Sequence, residues 1–232
     1  VRSNRYQLPL SFNETDSMVA ESISYLQENE QDEGYYVGFS GGKDSICSIE
    51  LCKLAGVKFE AFYSCTRIDP PEVVRFIKEQ YPQVKFLLPS MTFWAGIKKK
   101  MPPLRMKRWC CDVLKKDPGA NHPLKKRVMG IRAEESSRRA IRPRTDYFKK
   151  YKQTIYKPIF HWNEYHVWDF IGKKNLPYPE LYDQGFHRLG CIICPFMMGK
   201  SQGLKSARAV SQERWPGMWK AFKSSCKVWF AP

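Results

Sequence analysis

No stretch of this chain approaches the roughly 18 uninterrupted apolar residues of a membrane span, so neither a spanning helix nor a membrane partner is expected. The first residues, Val1 to Phe12, hold no hydrophobic segment of the signal-peptide kind, which points to a cytoplasmic setting. Internal repeats and low-complexity tracts are absent. Histidine is scarce: His161, His166 and His187 are spread out without ligand spacing, so core or surface roles are expected of them rather than metal binding. Acidic residues are also few, 23 against 39 Lys and Arg. What is present is 43% apolar and 14% aromatic residues over 232 positions, enough to bury a core in one domain with elaborations.

The net charge is +16, and the cations run in clusters between residues 98 and 152. They include Lys98 to Lys100, Lys115-Lys116, Lys125 to Arg127, Arg138-Arg139 and Lys149-Lys150. Such density favours a polyanionic partner through counterion release, with DNA or a nucleotide as the candidates. Eight cysteines could in principle form disulfides, but a core-rich chain without an export signal does not need them. Cys47 and Cys52 fall in an apolar helical pattern and read as core.

Periodicity and breakers outline an alternating chain. Glu14 to Gln31 has helical spacing, with Thr15 or Asp16 as N-cap. Tyr35 to Phe39 reads as a buried strand, Asp44 to Leu54 as a helix ended by Gly56, and Phe59 to Ser64 as a second strand. Pro70-Pro71 opens a helix to about Gln80, Val84 to Leu88 is a third strand, and Thr92 to Lys100 is helical. Val128 to Arg132 and Thr154 to Ile159 are extended, Asn163 to Ile171 is an amphipathic helix, and the last 30 residues are helical with Trp215, Trp219 and Phe222 as a packing face. Alternating strands and helices imply an α/β fold. The expected fold is a three-layer parallel sheet of about five strands with helices on both faces, in one domain over 1–232. A helical segment over about 1–32 precedes it. An α-rich extension over about 149–232 carries the second cysteine pair.

Ser40-Gly41-Gly42-Lys43-Asp44-Ser45 follows the first strand, with Phe39 at the strand end, and opens a helix. Glycines let backbone N–H groups approach an anion, and the helix N-terminus adds partial positive charge. Ser40 and Ser45 hydroxyls can donate to phosphate oxygens, Lys43 can neutralise charge, and Asp44 can cap the helix or hold Mg²⁺. The pattern is not a Walker loop. Arg132, with Glu135 and Arg138 beyond it, follows a strand whose C-terminal end is where a parallel sheet binds ligands, so the arginines could reach phosphate or sulfate with Glu135 orienting one of them.

Cys110-Cys111 and Cys191-x-x-Cys194 could together hold a metal centre. An adjacent pair chelates one zinc ion poorly but reaches two corners of a cubane, so a 4Fe–4S cluster stands ahead of zinc, and both ahead of plain thiols.

The hexapeptide is the S-G-G-x-D-S signature of PP-loop proteins, and the chain resembles the adenine-nucleotide α-hydrolase-like superfamily. That resemblance implies an adenine nucleotide at the loop: ATP cleaved between its α and β phosphates, or an adenylyl sulfate. Three further segments are similar to the phosphoadenylyl-sulfate reductase family, including its iron–sulfur members. They are the cysteine pairs, Gly130-Ile131-Arg132-Ala133-Glu134-Glu135-Ser136-Ser137-Arg138, and Tyr156 to Asn163. The resemblance runs from about Tyr35 to Phe196. It implies catalytic roles for Ser40, Lys43, Asp44, Arg132 and Glu135, with Gly130 in the nucleotide site.

The chain departs from the reductases at its tail. Where they carry a glutamate-cysteine-glycine-leucine/isoleucine-histidine motif, this chain has Cys226 between Ser225 and Lys227. Thr66 to Val73 and Met101 to Cys111 look more like the ATP-cleaving enzymes of DNA phosphorothioation and their phage-borne relatives. The favoured expectation is therefore ATP cleavage to activate a substrate for sulfur transfer, with DNA as acceptor and a cysteine desulfurase or other sulfur-transfer protein as partner. The alternatives are an adenylyl-sulfate reductase using Cys226, and a non-catalytic nucleotide- and DNA-binding subunit.

Overall fold

A computed structural model describes residues 14–196, 201–202 and 205–230. The opening of the expected N-terminal segment, residues 1–13, lies outside the described residues. The elements, in chain order, are α1 (Glu14–Glu28), β1 (Tyr35–Gly38), α2 (Lys43–Ala55), β2 (Phe59–Ser64), α3 (Pro71–Gln80), β3 (Lys85–Leu87) and α4 (Phe93–Lys100). A broken helix follows: α5 (Trp109–Cys111), a π-helical turn (Asp112–Lys116) and α6 (Asp117–Ala120). Then come β4 (Lys126–Met129), α7 (Ser137–Ala140), β5 (Thr145–Phe148), β6 (Gln153–Tyr156) and α8 (Glu164–Lys173). The described chain closes with a short hairpin, β7 (Ser201–Gln202) and β8 (Lys205–Ser206), and helices α9 (Ala207–Arg214) and α10 (Pro216–Phe230).

The main sheet has six strands in the order β3-β2-β1-β4-β6-β5. The expected α/β sheet, parallel over most of its strands, is present with one strand more than the five expected. β5 is an additional strand, and it pairs antiparallel to β6, whereas β1–β2, β1–β4 and β4–β6 are parallel. The chain crosses from β2 through β3 and back to β4 beside β1. The order therefore reverses at β1, where the loop after that strand meets the head of the sheet.

The chain falls into two compact units, Val1–Phe62 with Pro123–Tyr178 and Tyr63–His122 with Pro179–Pro232. In the first, α2 packs on α1, α8, β1 and β4. Its Ile46, Ile49 and Leu51 are fully buried, as are Cys47 and Cys52, which take the core role expected of them. Gly56 ends α2 at φ 68, a left-handed cap open to glycine without strain, and its N–H donates to the Lys53 carbonyl at 3.1 Å. α8 begins with a reciprocal cap: His166 N–H donates to Asn163 Oδ1 at 3.0 Å and Asn163 N–H to His166 Nδ1 at 3.1 Å. His166 is thus a structural residue of the helix start.

In the second unit, Pro71 opens α3, and Val73 and Ile77, one helical turn apart, are its buried pair. Thr92 caps α4 by accepting from Ala95 N–H at 3.2 Å. Trp219 donates from Nε1 to Ser211 Oγ, which donates in turn to the Ile192 carbonyl, so the C-terminal helices are pinned to the second cysteine segment. Trp229 Nε1 donates to the Ile97 carbonyl at 2.7 Å and docks the end of α10 on α4.

Two further expectations change. Thr15 and Asp16 lie inside α1 rather than capping it, and the C-terminal stretch is two helices broken at Trp215 and preceded by a hairpin. The break falls where Pro216 opens α10, as proline disfavours a helical residue before it.

Candidate functional site

The loop Ser40–Ser45 joins β1 to α2 within the first unit. Gly41 turns the chain at φ 73, and Gly42 is the extended residue before the helix. The loop is braced from inside. Ser45 Oγ donates to the Gly42 carbonyl at 2.8 Å and accepts from Ser40 N–H at 3.1 Å. Ser45 is buried and holds the turn, while Ser40 is exposed, with its hydroxyl 3.2 Å from Ser45 Oγ and accepting from Gly42 N–H at 3.4 Å. Phe39 is buried and its N–H donates to the Phe62 carbonyl, fixing the end of β1 against β2.

Gly130, just past β4, supports the first turn of α2. A Cβ there would stand 2.5 Å from the Asp44 carbonyl oxygen and 2.9 Å from Ser45 N, both backbone atoms. Only glycine lets this strand end approach the helix so closely.

Arg132 is buried, and its Nε donates to Asp44 Oδ1 at 2.7 Å. Its Nη1 pairs with Glu134, and its backbone N–H donates to Glu135 Oε2 at 3.2 Å. Burial works against the guanidinium charge, but Asp44 and Glu134 outweigh it and hold the Arg132 pKa above its ordinary value. Glu135 also pairs with Arg139. Lys43 is buried too, 3.7 Å from Glu164 Oε1 and 3.9 Å from Asp44 Oδ2. Arg138 is exposed and makes no ion pair among the described residues.

The structure therefore brings Lys43, Asp44 and Arg132 into one ion network and attaches Glu135 to its backbone, with Arg138 outside it. Sequence reasoning passed over Glu134 and Glu164. Glu134 lies within the same motif, whereas Glu164 carries no local signal. As arranged, Asp44 Oδ1 is taken by Arg132 and Asp44 Oδ2 stands 3.9 Å from Lys43 Nζ.

The two cysteine pairs lie in the second unit, and all eight cysteines of the chain are free thiols. Cys110 and Cys111 hydrogen-bond to each other. That bond, with burial and the nearby thiols of Cys111, Cys191 and Cys194, raises Cys110. The same bond lowers Cys111 to about 6, with Lys115 and Arg108 reinforcing it against burial. Cys191 is pushed up to about 12 by burial and by Asp69.

Around Cys191 stands a polar group that sequence reasoning did not assign. Thr66 Oγ1 is 3.9 Å from its sulfur and donates to Asp69 Oδ2 at 2.7 Å, Tyr63 donates to the same oxygen at 2.6 Å, and Lys115 Nζ is 3.9 Å from Asp69 Oδ1. Cys191 is the first cause of the raised Lys115 pKa. The signal that could have found Lys115 is its place four residues after Cys111.

Four thiols that act on one another, beside a lysine and an arginine, are a donor set that fits an anionic thiolate-bound centre. Among the described residues no three His, Cys, Asp or Glu side chains yet stand in an array that holds a metal ion.

A mostly parallel sheet with a glycine turn at the head of β1 defines a Rossmann-like α/β protein. The comparisons narrow this. The family model described as phosphoadenosine phosphosulfate reductase domain matches residues 34–197, and the chain belongs to that family. An uncharacterized protein of Methanocaldococcus jannaschii is 33% identical over 198 residues, 77% of this chain and 40% of the relative. An adenosine 5'-phosphosulfate reductase of Shouchella clausii is 28% identical over 143 residues, 59% of each chain. The chain thus spans less than two thirds of the length of these relatives.

Among solved structures, a phosphoadenylyl-sulfate reductase from Candida auris, in a phosphate complex, superposes with TM-score 0.58 at 16% identity over 80% of this chain and 98% of that one. Yeast FAD synthetase in complex with FAD gives 0.54 at 16% identity over 91% and 86%. At such identities these two likenesses show the fold. Among the described residues no helix is long and apolar enough to cross a membrane.

Proposed function

We propose that this chain binds an adenine nucleotide at Ser40–Ser45 and cleaves ATP between the α and β phosphates to activate an acceptor for sulfur transfer. The observation that carries this reading is the seat of the loop. A left-handed Gly41, the exposed Ser40 and the amino end of α2 sit at the head of β1, and Gly130 and the Arg132–Asp44 pair hold that first turn in place. An acceptor oxygen attacks the α-phosphorus, the bond from that phosphorus to the bridging oxygen breaks, and pyrophosphate departs with the bonding electrons. The acceptor is left carrying AMP, which an incoming sulfur nucleophile then displaces.

Such a transfer needs positioning and charge neutralisation more than covalent help from the protein. Here backbone N–H groups and the amino end of α2 meet the phosphates, while Lys43 and Arg132 act from behind by fixing Asp44 and the turn. The acceptor we propose is a nucleic acid, and a cysteine desulfurase or similar protein is the proposed sulfur source. Cys110, Cys111, Cys191 and Cys194 would hold a 4Fe–4S cluster, which when bound supplies an electron-rich sulfide centre. This chain's own part there is to keep Cys111 ionised through Cys110, Lys115 and Arg108.

The similarity to adenosine 5'-phosphosulfate reductases favours a second reading, sulfite release from an adenylyl sulfate. Burial raises the Cys226 thiol, which works against its use as the attacking thiolate and places this reading behind the first.

The test is anaerobic incubation with ATP, Mg²⁺ and a DNA acceptor, following pyrophosphate, and in parallel with adenylyl sulfates and a thiol donor, following sulfite. Pyrophosphate that disappears in Ser40→Ala and Asp44→Asn is expected. Asp44→Asn keeps the shape but removes the charge that pairs Arg132, so its melting is compared with the parent to separate loss of the turn's support from loss of fold. Sulfite release lost in Cys226→Ser would overturn the first reading in favour of the second.

A further inference from the structure

Nucleotide cleavage makes no use of the β5–β6 hairpin in the first unit. We propose that its tip, Tyr147 to Lys152, binds single-stranded nucleic acid. The proposal deepens the reading above by giving the nucleic-acid acceptor a surface.

The root of the hairpin is fixed. Tyr25 Oη and Thr145 Oγ1 share a hydrogen bond of 2.6 Å. Arg144 donates to the Pro158 carbonyl at 2.9 Å and to the Lys157 carbonyl at 3.3 Å, with its guanidinium 3.9 Å above the Tyr25 ring. Buried Lys157 donates to the Pro143 carbonyl at 2.7 Å. Asp146 is the one acidic side chain of residues 138–152, and it is consumed at this root by Arg142 at 3.0 Å and Lys157 at 3.7 Å.

The tip is the reverse. Lys149, Lys150 and Lys152 are exposed, and Lys149 and Lys152 make no ion pair among the described residues. Positive charge is therefore concentrated at the end of a ribbon anchored at its root. Aromatic rings stand among these cations. Tyr147 is 56% exposed and Phe148 37%. They are consecutive on a strand, so they face opposite sides, and β5 is the outermost strand of its sheet. Tyr151 meets Phe148 edge to face at 5.3 Å and lies under Lys150 Nζ at 4.7 Å.

Exposed rings interleaved with lysines match what a single strand offers, unstacked bases for the rings and phosphates for the cations. A duplex keeps its bases stacked on one another and would use the lysines alone.

The experiment is fluorescence anisotropy of the full chain with labelled (dT)20 and with a 20-base-pair duplex, without ATP, across a salt series. Two variants are compared, Lys149→Glu/Lys150→Glu/Lys152→Glu and Tyr147→Ala/Phe148→Ala, each first shown to melt like the parent. We expect (dT)20 to bind more tightly than duplex. The charge-reversal variant should lose at least about tenfold in affinity and flatten the log–log salt slope by about 2, as three lost phosphate contacts require. The aromatic variant should lose about tenfold on (dT)20 and little on duplex, since bases of a single strand stack on such rings and paired bases do not.

Equal binding of parent and both variants overturns the proposal, as does a preference for duplex that the rings do not influence. So does binding to phosphatidylserine vesicles that the variants lose while (dT)20 binding persists. Both variants are expected to bind ATP as the parent does in calorimetric titration without nucleic acid, whereas loss of ATP binding in the parent itself would sink the reading of the loop, so the two failures are separately visible.

Discussion

Gly130 has no room for a methyl group. The atoms it would meet are the Asp44 carbonyl and the Ser45 nitrogen, and neither moves without lifting the first turn of α2 from the sheet. Gly130→Ala is therefore expected to cost about 1–3 kcal/mol, the usual range for overpacking, and to weaken nucleotide binding in parallel. Thermal melting and calorimetric titration with ATP check this. An unchanged melting midpoint would show that the turn yields freely and that Gly130 is not what seats it. The residue types around this turn were legible in the sequence, because a glycine turn between a strand and a helix is a local pattern. Their division of labour was not. Ser45 reads as a phosphate donor but spends its hydroxyl on the Gly42 carbonyl, and Lys43 reads as a charge neutraliser but is buried against Glu164. Arg127 reads as one of a surface run of cations, yet it is buried with its guanidinium 3.6 Å over the Tyr36 ring. Each outcome turns on a partner far away in sequence or on which face of a strand a residue occupies.

At the scale of elements, the broken helix from Trp109 to Ala120 sets the chemistry of the first cysteine pair. Its turns place Arg108 and Lys115 within electrostatic reach of Cys111, while Cys110 keeps its proton and donates to its neighbour. With its pKa lowered to about 6, Cys111 is a thiolate at neutral pH and becomes protonated as pH falls through about 6, whereas Cys191, pushed to about 12, stays protonated throughout. In cluster-free protein, iodoacetamide is expected to label Cys111 first at pH 7.5, with a rate that falls below about pH 6, and to leave Cys191 slow. Peptide mass spectrometry over a pH series reads this directly. Equal rates at the two sites would show that the helix does not polarise the pair. The elements themselves were legible where a periodic face or a breaker marks them, as with α2 ending at Gly56 and α3 opening at Pro71. β5 was missed for a physical reason. Thr145–Phe148 is an edge strand with three of its four residues exposed, so no alternation of apolar and polar residues announces it between two cation runs.

For the molecule as a whole, a net charge of +16 sets up self-repulsion that salt relieves and that a bound anion relieves more specifically. The two contributions can be separated. Raising sodium chloride from about 20 to 300 mM, which shortens the Debye length from about 20 to 6 Å, is expected to raise the melting temperature of the parent and of Ser40→Ala alike, because screening acts on all exposed cations. Pyrophosphate added at matched ionic strength should stabilise the parent further, by about 2.7 kcal/mol at a hundredfold excess over its dissociation constant. Ser40→Ala should lose most of that increment, because Ser40 is the exposed serine of the turn and its hydroxyl also braces Gly42 N–H. If chloride lowered the melting temperature, the ion pairs of the first unit, such as Arg132 with Asp44, would outweigh the repulsion among the free cations. If pyrophosphate stabilised both proteins equally, the anion would be binding the general basic surface, and the loop would have no privileged affinity for phosphate.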